Sequence, residues 1–90
     1  MTRIKSYYFT YGTSGQPYKG GWTRIDAPDL KSACDIFRFY HPDRVDGFLN
    51  CSDVYTEDRF FETGMHKTGN FGKWEQEIIT LNRMVIGGAL

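Results

Sequence analysis

Residues 3–11 read RIKSYYFTY, and this stretch limits the fold more than any other. Aromatic residues suit a pleated, half-buried surface, so the segment predicts a first strand over Arg3–Tyr11. Side chains alternate along a strand, which puts Tyr7, Phe9 and Tyr11 on one face and Ile4 and Tyr8 on the other. A sheet built on such a strand has large rings to hide on both sides. The next ten residues, GTSGQPYKGG, form a loop over Gly12–Gly21, because their glycines and Pro17 supply turn dihedrals and interrupt ladder bonding. Trp22–Asp26 (WTRID) then reads as a second strand, hairpin-paired with the first.

A helix is expected within APDLKSACDIFRFYH. Asp26 is placed to cap it, Pro28 suits its first turn and Asp29 suits the positive end of the dipole. Leu30, Ala33, Cys34 and Phe37 recur at helical spacing and should face the sheet. Pro42 disfavours helical geometry at His41 and ends the segment. Gly47–Tyr55 (GFLNCSDVY) alternates as a third strand, with Leu49, Cys51, Asp53 and Tyr55 opposite Phe48, Asn50 and Val54. Thr56 is placed to cap a short helical turn, EDRFFET, closed by Gly64. HKTGNFG reads as a turn-rich loop. In Lys73–Leu81, Ile78, Ile79 and Thr80 favour a fourth strand, although the Glu-rich start also suits a helix. The tail from about residue 83 has no decisive period and is expected to be mobile. The sum is one α+β domain over residues 1–90: a β-β-α-β core with one main helix packed on a small, mostly antiparallel sheet, then a short helical turn and a C-terminal strand.

Ninety residues leave no room for a second core, and 40% apolar with 17% aromatic residues suffices for one. Eleven basic residues balance eleven acidic ones. Duplex binders usually concentrate positive charge to displace counterions, so generic nucleic-acid binding is not expected. MTRIKSYYFTYG lacks the apolar run of a signal peptide, and no stretch has membrane-spanning length. A cytoplasmic location, no membrane association and free thiols at Cys34 and Cys51 are the expectation.

Several patterns invite chemistry and fall short of it. His41-Pro42-Asp43 is the tripeptide of J-domain co-chaperones, but that domain is all helical and its preceding helix is basic. Here Lys31 and Arg38 offset Asp29 and Asp35, and a strand pattern follows, so the tripeptide reads as a helix stop. Cys34, His41, Cys51 and His66 lack the close ligand pairs of a zinc site, so no metal is expected. Cys51-Ser52-Asp53 suggests a nucleophile with His41 or His66 as base, yet alternation sends Cys51 inward with Leu49. GTSGQPYKGG lacks the GK[ST] ending of a phosphate loop and joins two strands. No enzyme activity and no cofactor are expected.

The sheet faces carry the stronger signal. One helix covers one face, so either the C-terminal segment covers the other or several rings remain exposed as a reservoir of binding energy. On the second alternative, Tyr7, Phe9, Tyr11, Gln16, Tyr18, Lys19 and Trp22 form the contact surface.

The segments YYFTYG, the Gly15-Gln16 loop and NCSDVYTE, within a match over residues 6–72, resemble small proteins encoded by Firmicutes genomes, phages and integrative elements. The resemblance implies no catalytic residue. It implies a setting in which small proteins bind and inhibit host defence machinery, CRISPR effectors included. The expected function is therefore a non-catalytic inhibitor of a bacterial defence complex that occupies a protein surface. The competing expectations are an oligomeric sponge for a signalling nucleotide and a small enzyme; a homodimer is compatible with either binding role.

Overall fold

A computed structural model describes residues 3–80 of the chain. Four strands, β1 (Lys5–Thr10), β2 (Trp22–Ala27), β3 (Asp53–Thr56) and β4 (Glu75–Thr80), lie in the order β3-β1-β2-β4. Three helices, α1 (Leu30–Tyr40), α2 (Glu57–Thr63) and α3 (Met65–Thr68), accompany them. The expected α+β class holds, as do the hairpin, the main helix, the short helical turn and the C-terminal strand. The tail from residue 83 and Leu81 lie outside the described residues.

β1 pairs antiparallel with β2, Lys5 opposite Ala27 and Thr10 opposite Trp22, and antiparallel with β3, Tyr7 opposite Thr56. β4 instead runs parallel to β2, reaching it by a crossover that contains α1, β3, α2 and α3. Between Trp22 and Thr23 the pairing skips a residue, so that Trp22 faces Glu75 and Thr23 faces Glu77. Such a bulge reverses the side-chain alternation of one strand against the other. Glu75 therefore accepts from Trp22 Nε1 at 3.2 Å on one face, while Glu77 accepts from Thr23 Oγ1 at 2.8 Å on the other.

α1 is capped by Asp29, whose Oδ1 accepts from Ser32 N at 2.8 Å; Asp26 was the expected cap. Asp26 is engaged elsewhere, bonded to Ser6 Oγ at 2.8 Å and ion-paired with Arg24 at 3.1 Å. The cap lies three residues beyond the expected one, so Leu30 stands in the first turn, 47% exposed, and not in the buried stripe. Ala33 and Phe37 are buried, with Cys34 packed beside them. They close over Tyr7, Phe9, Tyr11, Ile25, Ala27 and Ile79, and the rings of Phe9 and Phe37 stack at 4.5 Å.

The opposite face is covered too, by an element read from sequence only as a helical turn. α2 follows β3 directly and ends at Gly64, whose φ of 79° is the left-handed geometry glycine tolerates best. It lays Phe60 flat on Tyr8 at 4.1 Å and edge-on against Trp22 at 4.8 Å, with Tyr55 and Met65 at the margin. Over β1 and β3 the cover on this face is α2, while Ile78 of β4 stays 42% exposed.

The third strand is shorter than the expected Gly47–Tyr55. Residues before Asp53 are tied by local bonds: Arg38 pairs with Asp43 at 3.0 Å, Asp43 Oδ2 accepts from Gly47 N, and Phe48 N donates to Val45 O. Because Cys51 and Ser52 lie in that irregular stretch, alternation does not carry across it. Cys51 and Val54 share the α1 face, and Tyr55 takes the other.

Candidate interaction surface

All four strands present one common end. β1 finishes there at Thr10, and β2, β3 and β4 begin there, so the Gly12–Gly21 loop, Cys51-Ser52 and residues 69–74 converge. The loop is tied down by Gln16, whose Oε1 accepts from the backbone N–H groups of Gly12 (2.8 Å) and Thr13 (3.2 Å) while its Nε2 donates to Ser52 Oγ. Gly21 allows the closest approach of backbone to backbone: a Cβ there would stand 2.2 Å from the Trp74 carbonyl oxygen. Arg44 lies across the loop, its guanidinium occupying the space beside Gly15 where a side chain would stand.

Against this loop rests a tight turn. Asn70 and Lys73 exchange backbone hydrogen bonds of 2.7 and 3.1 Å. Phe71 (φ 51°) and Gly72 (φ 75°) occupy its two central positions. Positive φ at both is the requirement of a type I′ turn, a requirement that Asn and Gly meet easily and a bulky ring does not. Among the described residues Phe71 is the only non-glycine at positive φ. The turn is held regardless, because Asn70 Nδ2 donates to the carbonyls of Tyr11 (2.7 Å) and Gly21 (2.9 Å), and Asn70 O accepts from Gly21 N. The ring remains 76% exposed, touching the molecule beside Gly12, and Trp74 is 48% exposed nearby.

The residues expected to form the contact surface are thereby divided. Tyr7, Phe9, Tyr11 and Trp22 are core residues, at most 5% exposed, and are corrected from surface to interior. Both faces being covered is the reason. Gln16 secures the loop, Tyr18 leans half-buried against Tyr11 and His41, and Lys19 stands exposed. Phe71, Trp74 and Arg44 were missed. The signal available for Phe71 was an aromatic residue inside the turn composition of TGNFGK, where a ring has no strand or helix to bury it.

Beneath the loop lies a polar chain. Tyr11 Oη donates to Thr23 Oγ1 (2.6 Å), Thr23 donates to Glu77 Oε1, and His41 Nε2 meets the same carboxylate oxygen. Burial pushes the Tyr11 phenol up from its ordinary value. Burial, with Glu77 second, raises Tyr18. The carboxylate, engaged by Thr23 and His41, joins α1, β2 and β4. Nucleophilic chemistry fits poorly here: burial pushes the Cys51 thiol up to about 12, with no histidine among the groups that act on it. Among the described residues no three His, Cys, Asp or Glu side chains converge as a metal site would need, and no helix is long and apolar enough to cross a membrane. A groove of about 700 Å³ lies at the other end of the sheet, lined by Arg3–Tyr7 and Thr56–Asp58.

The fold and this end of it define an α+β protein with a mixed four-stranded sheet covered on both faces and a ring-bearing turn at one rim. No family model, no curated protein and no solved structure matches the chain.

Proposed function

We propose that this protein is a non-catalytic binding protein that acts by occupying the surface of another protein, with Phe71 as its anchor and Lys19 and Trp74 beside it. One observation carries the reading: a phenylalanine is held in left-handed geometry with its ring in water. That conformation costs about 1–2 kcal/mol for a residue with a Cβ. Exposure of the ring gives nothing back within the folded chain. Strain of this kind concentrates where a side chain is used, and large rings at the centre of an interface are the usual anchors of binding.

The resemblance of YYFTYG and NCSDVYTE to proteins of phages and integrative elements favours a bacterial defence complex as partner, CRISPR effectors included. On this reading the chain works in the cytoplasm as an inhibitor. Phage plating on hosts that carry defined defence systems tests it. Expression of the protein is expected to raise plating efficiency against at least one system, and Phe71→Ala to abolish the rise while leaving the melting curve nearly unchanged. No rise on any host of a broad panel overturns the inhibitor reading. Full activity of Phe71→Ala overturns the anchor.

A further inference from the structure

The groove at the far end of the sheet from Phe71 is a gap in the sheet itself. β1 is six residues long and β3 only four. Their pairing stops at Tyr7 opposite Thr56, because the chain turns into α2 at Glu57. The first residues of β1, an inner strand, are left without a neighbour where β3 would have continued. That gap is the groove of about 700 Å³ lined by Arg3–Tyr7 and Thr56–Asp58. Backbone groups alternate in direction along a strand. The bond from Tyr11 N to Gly21 O (3.2 Å) sets odd-numbered residues towards β2, and that from Ser52 N to Thr10 O (2.7 Å) sets even-numbered ones towards β3. The N–H of Ser6 and both backbone groups of Ile4 therefore face the gap, and none has a hydrogen-bond partner among the described residues. Side chains alternate too: Arg3 and Lys5 lie on the α1 side with Tyr7, and Ile4, 40% exposed, on the α2 side with Tyr8. Among the described residues neither Arg3 nor Lys5 has an ion pair.

We propose that this gap takes an extended segment of another protein as a short strand in line with β3 and antiparallel to β1. Its central aliphatic residue lies opposite Ile4, flanked by acidic residues opposite Arg3 and Lys5. A row of bare amides and carbonyls is complementary to another strand, and side chains then choose among strands. Residues opposite Arg3 and Lys5 stand in non-hydrogen-bonded pairs, where side chains approach most closely and opposite charges stabilise. The same rule disfavours a second copy of this chain. Two β1 strands with Ile4 opposite Ile4 or Ser6 would set Arg3 against Lys5, or Lys5 against Lys5. Glu57 and Asp58, at the Thr56 end of the groove, confine the acidic preference to those two positions. With both signs on its walls, the groove lacks the cationic track a nucleic acid strand needs. The site goes beyond the function proposed above and does not depend on it.

Short synthetic peptides with Glu-Val-Glu at the centre of a threonine frame, capped at both ends, test the proposal by NMR titration of the isotope-labelled full chain. The amide resonances of Ile4 and Ser6 are expected to shift, and exchange of the Ser6 amide with solvent to slow. Methylating the peptide nitrogen of the central valine, which faces β1, should weaken binding about tenfold. Methylating that of either glutamate, which faces away, should not. Arg3→Glu/Lys5→Glu should likewise cost about tenfold and transfer the preference to a Lys-Val-Lys peptide. Lys5→Glu alone serves if the double variant does not fold, with a smaller loss and the same change of preference. Phe71→Ala should bind the peptide as wild type does, so the gap stands or falls separately from the rim. Absence of binding, indifference to the site of methylation, or shifts centred on Phe71 overturns the proposal. So does a Ser6 amide that exchanges slowly before any peptide is added: in a dimer the occupant is then a second copy, in a monomer a segment of this chain.

Discussion

At Phe71 two demands on one residue are opposed. The turn asks for Asn or Gly, while the proposed contact asks for a ring. Replacing Phe71 by Gly or Asn is therefore expected to stabilise the fold while weakening binding. Relief of the left-handed conformation contributes about 1 kcal/mol, which for a domain of this size raises Tm by roughly 4–8 °C. Thermal melts of Phe71→Gly, Phe71→Asn and Phe71→Ala distinguish the causes, because alanine removes the ring and keeps the strain. A fall in Tm for the glycine variant would show that the ring supports the fold. At this scale the sequence was legible where one residue type has one use. The alternation of Tyr7, Phe9 and Tyr11 against Tyr8 follows from the geometry of a strand and was found in full. The φ of residue 71 was not legible, since it is imposed by the carbonyls of Tyr11 and Gly21 that grip Asn70 from more than forty residues away.

Among elements, α2 has an importance out of proportion to its seven residues. Its boundaries were readable from Thr56 and Gly64, but its task was not. A helix this short has a stripe of one buried residue, Phe60, and no periodicity can announce it. Phe60 is nonetheless the centre of the second core, stacked on Tyr8 and set against Trp22, Tyr55 and Phe61. Phe60→Ala should cost about 3–5 kcal/mol, a large share of the stability of a small domain. Chemical denaturation would show the midpoint falling and Tyr8 becoming accessible. A loss under 1 kcal/mol would mean that α2 is an attachment and not a cover. The direction of β4 was hidden for a related reason. EQEIIT shows that it is a strand, but a strand's own pattern does not say which neighbour it joins. The bulge that turns Glu75 and Glu77 to opposite faces is set by β2.

For the whole molecule, the layer between α1 and the sheet contains several groups that resist ionisation, Cys51 and Tyr11 most strongly, with Cys34 and Tyr18 beside them. Burial holds the Cys51 thiol up at about 12 against an ordinary 9.0, and burial likewise raises Tyr11 above 10.0. In each case the folded value lies above the unfolded one, so folding favours the protonated group. The resulting stability is fully present below pH 9 and is lost as pH climbs from there towards 12. Unfolding free energy should stay level with respect to these groups from pH 7 to 9 and decline above, as urea titrations at stepped pH would record. In Cys51→Ala the part of that decline due to this thiol should vanish, leaving the part due to Tyr11 and the other groups that burial raises. An unchanged alkaline slope in that variant would refute the assignment. The overall class was accessible from the order of patterns along the chain. The rim was not, because the Gly12–Gly21 loop, Cys51-Ser52 and residues 69–74 are scattered in sequence and meet only after the strands align their ends.

The parallel placement of β4 has a further consequence for how the chain leaves the ribosome. The flank of β2 that β4 covers is formed early in synthesis and remains a bare row of amides and carbonyls until Glu75–Thr80 has emerged. Bare rows of this kind recruit other strands. A nascent chain paused anywhere between residues 28 and 74 would be at its most adhesive, and translation that runs quickly through that interval would protect it.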